Sequence, residues 1–283
     1  MYAVSPLRYP GAKWRLEKFV TAILRDNGLL GGHYIEPYAG GASLALSLLF
    51  GGHVAKIHLN DLDRSVYAFW RAATEHADEL IDRIRTTPVS IDTWHIQREI
   101  QRNKRHAPIV DLGFSTFFLN RTNRSGILTA GVIGGKAQSG QWKIDARFNK
   151  ENLIKRLQRV ANHRSQIFVT QMDALKFIER RKEILSEKCF VYLDPPYYVK
   201  GQDLYMNAYE PQNHVDVANV VLKNLDNAWM VSYDDVEEIR NLYRGARQQP
   251  YVLRYSASKQ RSGREMVFLS RSLKIRPAML RNA

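Results

Sequence analysis

The amino-acid sequence predicts an α/β fold in which a mostly parallel, doubly wound sheet carries an inserted second region. Three observations favour this class. Strand-like apolar runs alternate with helix-like segments at both ends of the 283-residue chain, as in parallel sheets covered by helices. The alternation is interrupted once, between residues 86 and 165. The apolar run Phe190 to Leu193 is followed directly by the acidic residue Asp194. The carboxyl ends of strands are where open α/β sheets bind ligands.

Two strand and helix pairs are predicted before the interruption. His33 to Glu36 precedes a helix from about Gly41 to Phe50, and Ala55 to Leu59 precedes a helix from about Leu62 to Arg85. The pattern resumes after residue 165 with further apolar runs. The strands predicted there are Ile167 to Thr170, Phe190 to Leu193, Ala228 to Ser232, Gln249 to Tyr255 and Met266 to Arg271.

The interruption predicts a subdomain at residues 86 to 165, inserted between core segments 1 to 85 and 166 to 283. Two helical patterns, Ile91 to Arg105 and Ile109 to Leu119, precede a glycine-rich stretch, Gly126 to Gly140, that suits a hairpin or a mobile loop.

Positive charge is concentrated in this insertion. It contains fourteen Lys and Arg against five Asp and Glu, a net charge of +9 out of the +14 of the whole chain. Such a basic segment indicates a polyanionic partner such as nucleic acid. A basic membrane-surface protein and a solvated face without a partner are the alternatives.

Composition also excludes several classes of protein. No apolar stretch approaches the roughly 20 residues that span a bilayer, and Arg8, Lys13 and Arg15 stand where a signal peptide would be apolar. We therefore expect a cytoplasmic protein that does not enter membranes. Cys189 is the only cysteine, which excludes an internal disulfide, and the eight histidines lack metal-ligand spacing, so no metal site is predicted.

The most informative motif is Asp194-Pro195-Pro196-Tyr197, directly after the apolar run Phe190 to Leu193. The carboxylate can accept a hydrogen bond, the prolines fix the backbone so that the Pro195 carbonyl points outward, and Tyr197 offers a face for stacking. A planar amine would fit these three groups. The structural alternative is a strand that simply stops at two prolines.

A second motif surrounds the first predicted strand. Glu36 lies at its end, and Gly40-Gly41 forms a turn that opens a helix. The glycines allow close approach of a ligand, and the helix N-terminus favours a negative group such as a carboxylate. After the next apolar run, Asn60-Asp61-Leu62-Asp63 supplies acids of the kind that hold ribose hydroxyls. Together they indicate a nucleoside-bearing ligand, unless Asp61 or Asp63 only caps the next helix.

Two polar segments complete the set. Tyr9 to Lys13 places an aromatic ring, a tight turn and a cation close together. Asn120 to Gly126 gathers amides and guanidinium groups, which read base edges and hold phosphates. The second segment could equally cap a helix and form a turn.

In this order, the motifs resemble those of the Dam-type DNA adenine methyltransferases over nearly the whole chain. Gly11-Ala12-Lys13 and Tyr38 depart mildly from the Gly-Gly-Lys and Phe common in that family. The segments that carry the resemblance are Tyr9 to Lys13, Glu36 to Gly41, Asn60-Asp61, Asn120 to Gly126, Asp173, Asp194 to Tyr197, Val231 to Asp234, Tyr255 to Ser258 and Arg264-Glu265.

The resemblance implies a Rossmann-like methyltransferase core and a DNA target-recognition subdomain at residues 86 to 165. It implies methyl transfer from S-adenosylmethionine to the exocyclic 6-amino group of an adenine flipped out of double-stranded DNA. The resemblance also implies a protein of prokaryotic, phage or mobile-element type that acts in the cytoplasm as a monomer. It leaves open whether a partner restriction endonuclease exists.

The resemblance also implies roles for individual residues. The catalytic residues would be Asp194, Pro195, Pro196 and Tyr197. The cofactor-binding residues would be Tyr9, Lys13, Glu36, Pro37, Gly40, Gly41, Asp61, Asp173 and Asp194. The DNA-binding residues would be Asn120, Arg121, Asn123, Arg124, Lys136 and Lys143.

Two other functions stay open. Asp-Pro-Pro-Tyr chemistry suits any planar amine, so the substrate could be RNA or the amine of cytosine. A retired enzyme that only binds DNA is more distant, because it would have no use for Asp194, Tyr197, Asp61 and Lys13 together. Methylation of a cytosine ring carbon is disfavoured because Cys189 lies in a strand and not in a Pro-Cys turn.

Overall fold

A computed structural model describes residues 4–9, 13–180, 188–199, 209–254 and 262–276. Two segments of the resemblance therefore lie outside the described residues, Pro10-Gly11-Ala12 and Tyr255-Ser256-Ala257-Ser258.

The architecture is a mostly parallel seven-stranded sheet with helices, which confirms the predicted α/β class. The strands are β1 (His33–Glu36), β2 (Lys56–Asn60), β3 (Ile167–Thr170), β4 (Cys189–Leu193), β5 (Ala228–Asp234), β6 (Arg247–Arg254) and β7 (Ser262–Leu269). Their order is β3-β2-β1-β4-β5-β7-β6. Strand β1 is parallel to β2 and β4, β4 is parallel to β5, and β7 is antiparallel to both β5 and β6.

Ten α-helices occur within the described ranges. They are α1 (Glu17–Asp26), α2 (Ser43–Phe50), α3 (Arg64–Glu75), α4 (Ala77–Thr86), α5 (Ile91–Arg102), α6 (Ile109–Thr122), α7 (Lys150–Asn162), α8 (Ala174–Arg180), α9 (Pro211–Asn224) and α10 (Glu237–Leu242).

Some predicted boundaries were wrong. The single helix predicted from Leu62 to Arg85 is two helices, because His76 adopts φ −131° and ψ 39° and separates α3 from α4. The apolar pattern continues through this break, so periodicity could not reveal it. The stretch Gly126 to Gly140, predicted as a hairpin or a mobile loop, forms turns without a hairpin ladder, with one isolated antiparallel bridge between Asn123 and Val132.

The chain divides into two compact units. We call Met1–Pro10 with Asn60–Met172 the helical unit, and Gly11–Leu59 with Asp173–Ala283 the sheet unit. The helical unit contains the whole of the predicted insertion, residues 86 to 165, and buries Phe69, Trp70 and Phe117 between α3 and α6. The core of the sheet unit includes all five residues of β4.

Strand pairing brings the polar ends of three strands together in the sheet unit. Ile35 of β1 is in register with Val191 of β4, and Leu193 of β4 is in register with Val231 of β5. Because these strands are parallel, their carboxyl ends meet at one edge. Glu36, Asp194 and Ser232 therefore lie at the same edge of the sheet.

The first prediction concerns Asp63, whose carboxylate accepts from the Ser65 N–H at 2.7 Å and caps α3. Asp63→Ala should lower the free energy of unfolding by about 1–2 kcal/mol, because an orphan N–H at the helix start loses its acceptor. Urea unfolding of Asp63→Asn provides the control, since asparagine also caps helices. Equal stability of the alanine and asparagine variants would contradict the capping role.

Candidate active site

The side chain of Asp194 is fixed directly after β4. Its Oδ1 accepts a hydrogen bond from Ser232 Oγ at 2.5 Å and lies 3.2 Å from Lys13 Nζ. Only 19% of the side chain is exposed. The carboxylate is thus held in one orientation by a neighbouring strand and by a cation, which is the preorganisation that a catalytic acceptor needs.

Lys13 lies between two carboxylates. Besides its contact with Asp194, its ammonium group donates to Glu265 Oε2 at 2.9 Å and to the hydroxyl of Tyr197. Its side chain is 11% exposed and that of Glu265 is fully buried. We call Lys13, Asp194, Tyr197 and Glu265 the lysine cluster.

Burial and the charges of this cluster shift the pKa values of Lys13 and Asp194. Burial lowers the pKa of Lys13, but the adjacent Asp194 and Glu265 outweigh burial and leave that pKa raised. Burial raises the pKa of Asp194, although Lys13 and the Ser232 hydrogen bond oppose the shift. Lys13 therefore remains an ammonium ion at neutral pH, and one cation offsets two carboxyl groups.

Glu36 adds a further buried acid at this edge. Its Oε1 accepts from the Tyr34 hydroxyl at 2.9 Å, whereas its buried Oε2 has no hydrogen-bond partner within the described ranges. Burial raises the pKa of Glu36 to about 8, with Asp194 adding to the shift and Tyr34 and the Ala45 N–H opposing it. A buried carboxyl oxygen without a partner requires an explanation, and a donor supplied by a ligand is one.

The glycine turn after Glu36 has an unusual backbone. Gly40 has φ +46°, and Ala42 adopts the left-handed conformation, φ 45° and ψ 30°, immediately before α2. Pro37, Gly40 and Gly41 are all buried. A non-glycine residue in this conformation stores strain, and such strain clusters at ligand-binding turns.

The turn that follows Tyr197 is fixed by Asp234. Its two carboxylate oxygens accept from the N–H groups of Tyr198 at 3.0 Å and Val199 at 2.9 Å. The Tyr197 side chain is thereby placed between an anchored backbone and the Lys13 contact on its hydroxyl. Asp234 thus helps to hold the Asp-Pro-Pro-Tyr turn in place.

Sequence reasoning assigned no role to Ser232, Asp234 and Glu265. All three belonged to segments that carried the resemblance, Val231 to Asp234 and Arg264-Glu265. The available signal was their place at strand ends or in strands, since β5 ends at Asp234 and β7 contains Glu265. Their partners could not be predicted, because Glu265 and Lys13 are 252 positions apart.

The predicted cofactor residues are divided between the two units. Tyr9 and Asp61 belong to the helical unit, and the other seven belong to the sheet unit. Asp173 caps α8, where its Oδ1 accepts from the N–H groups of Leu175 and Lys176, both at 3.1 Å. Asp61 Oδ1 accepts from the Asp63 N–H at 2.9 Å. These are structural roles, and cofactor binding by Asp61 and Asp173 stays a prediction.

Three of the predicted DNA-binding residues are buried in the helical unit. Asn120 accepts from the Arg8 N–H and donates to the Arg8 carbonyl, both at 2.7 Å, and donates to the Gly126 carbonyl at 2.9 Å. Asn123 accepts from the Trp94 indole N–H at 2.7 Å. Both amide side chains are therefore hydrogen-bonded within the protein. This agrees with the alternative given for the segment Asn120 to Gly126, that it caps a helix and forms a turn.

Arg121 is also directed inward. Its Nε donates to the Pro6 carbonyl at 2.8 Å, and its side chain is buried. Burial lowers the pKa of Arg121 to about 9, and the positive charges of Arg156 and Arg8 contribute. By contrast, Arg124, Lys136 and Lys143 are exposed. The six predicted DNA residues thus divide into three internal and three accessible side chains.

Neither a metal-binding cluster nor a membrane-spanning helix occurs in the described part of the chain. No three His, Cys, Asp or Glu side chains group there so as to hold a metal ion. No helix in those same ranges is long and apolar enough to cross a bilayer.

Comparison with known proteins is consistent with the geometry. A sequence model of the D12 class N6 adenine-specific DNA methyltransferases matches residues 9–257. The Type II methyltransferase M.MjaIII of Methanocaldococcus jannaschii is 23% identical over 175 residues. That alignment covers 58% of this chain and 58% of the relative, so the chain spans less than two thirds of the relative's length.

The second prediction concerns stability and pH. Because the folded protein holds the Glu36 proton up to a pKa of about 8 and the unfolded chain releases it near 4.5, the free energy of unfolding should fall as pH rises between these values. The loss should be on the order of 3 kcal/mol. Urea midpoints from pH 5 to 8 for the protein and Glu36→Gln test this, since the variant should lack that part of the decline. If the urea midpoints of the two proteins fall in parallel as pH rises, the loss of stability does not come from Glu36.

Proposed function

The chain belongs to the D12 class N6 adenine-specific DNA methyltransferase family, and we propose that it methylates the exocyclic 6-amino group of adenine in double-stranded DNA. The proposed methyl donor is S-adenosylmethionine. The observation that carries the proposal is the half-buried carboxylate of Asp194, which Ser232 and Lys13 hold in place directly before Pro195.

The amine of adenine is a poor nucleophile because its lone pair is delocalised into the ring. The contacts that fix Asp194 both fall on Oδ1, so we assign Oδ2 to accept one hydrogen of the amine. The Pro195 carbonyl accepts the other hydrogen. These two acceptors would direct the lone pair out of the ring plane and fix the nitrogen for attack.

Tyr197 supplies the stacking surface for the base. An adenine must leave the duplex to reach Asp194, at a cost of a few kcal/mol, and stacking on an aromatic ring offsets part of that cost. The contact with Lys13 and the anchoring of the next two residues by Asp234 fix the ring of Tyr197 before a base arrives.

The charges of the sheet unit fit the proposed donor, which when bound supplies an electrophilic methyl group on a cationic sulfur. Glu36 Oε2 is buried and has no hydrogen-bond partner among the described residues, and one ammonium group offsets two carboxyl groups in the lysine cluster. A ligand that brings positive charge and N–H or O–H donors would satisfy both features. The residues proposed to hold it are Tyr9, Lys13, Glu36, Pro37, Gly40, Gly41, Asp61, Asp173 and Asp194.

The helical unit supplies the proposed DNA contacts. Residues 86 to 165 carry the net charge of +9, and we propose this segment as the target-recognition subdomain. Arg124, Lys136 and Lys143 are proposed to touch DNA directly, because they are exposed. Asn120 and Asn123 are proposed to act through the turn at residues 126–128, to whose carbonyls they donate. Arg121 is proposed to act through the backbone at Pro6, to which it donates. Cytoplasmic location and a monomeric state are further proposals, and a partner restriction endonuclease stays open.

The third prediction tests the reaction. The protein is incubated with isotope-labelled S-adenosylmethionine and separate pools of duplex DNA and RNA, and the digested nucleosides are analysed by mass spectrometry. Labelled 6-methyladenine from DNA alone is expected. Asp194→Ala should reduce transfer by orders of magnitude while DNA binding survives.

Asp226→Asn is the matched control, because Asp226 is an exposed carboxylate of the same unit. Near-normal transfer by Asp194→Ala would refute the role of that carboxylate. Label on cytosine or in RNA would favour the other amine methyltransferases, and tight DNA binding without label would favour a retired enzyme.

A further inference from the structure

Trp142 lies unusually far out of the fold. Its exposure, 63%, is the highest of any large apolar residue in the described part of the chain. The indoles of Trp70, Trp94 and Trp229 are buried, and Trp14 is half-buried. A single exposed apolar residue is common on protein surfaces, so exposure alone assigns no role to Trp142.

The loop that carries Trp142 is held in a fixed conformation by Gln138. The Gln138 amide donates to the carbonyls of Ile133 at 2.8 Å and Gly135 at 2.6 Å, and its oxygen accepts from the Ile144 N–H at 2.8 Å. Lys143 Nζ donates to the Gln138 carbonyl at 2.6 Å. We call residues 133–144 the Gln138 loop; one side chain ties both of its ends together.

The backbone of the Gln138 loop is strained in a way that presents Trp142. Gln138 has φ +50°, a left-handed conformation that costs a residue with a side chain on the order of 1 kcal/mol or more. Gly134 has φ +83°, and a Cβ there would lie 2.6 Å from the Trp142 carbonyl oxygen. Ile144, two residues after Trp142, is buried. The packing of Gly134 against the Trp142 backbone and the burial of Ile144 therefore fix Trp142 in its outward position.

The surroundings of Trp142 in the sequence are cationic. Residues 124 to 147 contain four Lys or Arg and one acid, Asp145. The four are exposed side chains: Arg124, Lys136, Lys143 and Arg147. An exposed indole in a segment of exposed cations is a combination that binds nucleic acid, since the cations hold phosphates and the ring stacks on a base that has been unstacked from the duplex.

We propose that Trp142 is a base-stacking contact to DNA, presented by the strained Gln138 loop of the helical unit. The inference rests on the proposed function, because it takes DNA as the partner. It adds a residue outside the six that sequence reasoning assigned to DNA. Stacking is insensitive to salt, whereas the flanking lysines contribute a salt-dependent phosphate contact.

The fourth prediction tests stacking by affinity. The dissociation constant of a fluorescein-labelled duplex should rise about tenfold or more in Trp142→Ala, from the value of stacking one base on an aromatic ring. Trp142→Phe should stay within about threefold, because a benzene ring also stacks. Phe168→Ala, at an exposed aromatic residue of β3 outside residues 86 to 165, should leave affinity unchanged.

Salt dependence separates stacking from phosphate contact. The slope of log affinity against log salt should be the same for Trp142→Ala as for the unmodified protein. In Lys136→Ala the slope should fall by about one. Duplex should also quench indole emission in a Trp14→Phe background, and the quenching should be lost when Trp142→Phe is added.

Unchanged affinity in Trp142→Ala, or a Trp142→Phe variant as weak as Trp142→Ala, would overturn the proposal. Methyl transfer by the unmodified protein is measured in parallel to keep the two hypotheses apart. If it methylates DNA while Trp142→Ala binds normally, only the stacking contact is refuted. If it fails to methylate DNA while Trp142→Ala weakens binding, the activity is refuted and the contact stands.

Discussion

The candidate active site depends on one largely buried ammonium group, that of Lys13. Lys13 Nζ lies 3.2 Å from Asp194 and 2.9 Å from Glu265, and it also donates to Tyr197. Burying these charges is costly and is offset only when each has partners. Loss of Lys13 would leave two uncompensated carboxyl groups, at a cost of about 3–5 kcal/mol for a broken buried pair. The lysine cluster therefore links the stability of the sheet unit to the orientation of both proposed catalytic side chains.

The same electrostatics explain what the site is suited to bind. Glu36 and the lysine cluster together place three acids and one cation at the carboxyl edge of the sheet unit. Part of the excess negative charge is neutralised by protonation of Glu36, whose pKa is raised to about 8. A ligand that brings a positive charge would replace that proton. This is the physical link between the buried acids, the family membership of the chain and the proposed use of S-adenosylmethionine.

Sequence reasoning succeeded where the signal was local. Strands His33–Glu36 and Ile167–Thr170 have the predicted bounds, since each is a short segment with turn or bend residues close to both of its ends. Prediction from the sequence failed for side chains whose contacts are distant in sequence. Arg121 binds the carbonyl of Pro6, and Glu265 binds Lys13, so their burial depends on tertiary packing that no local pattern records. The break at His76 was missed for the opposite reason, because the apolar period is the same on both sides of it.

Proton release measured by calorimetry tests most directly whether a cationic ligand replaces the Glu36 proton. S-adenosylmethionine is titrated into the protein and into Glu36→Gln at pH 7, in buffers that differ in ionisation enthalpy. The unmodified protein should release up to about one more proton than the variant, because binding lowers a pKa of about 8. Tight binding with equal proton release in both proteins would contradict the role assigned to Glu36 and the electrostatic account of the site.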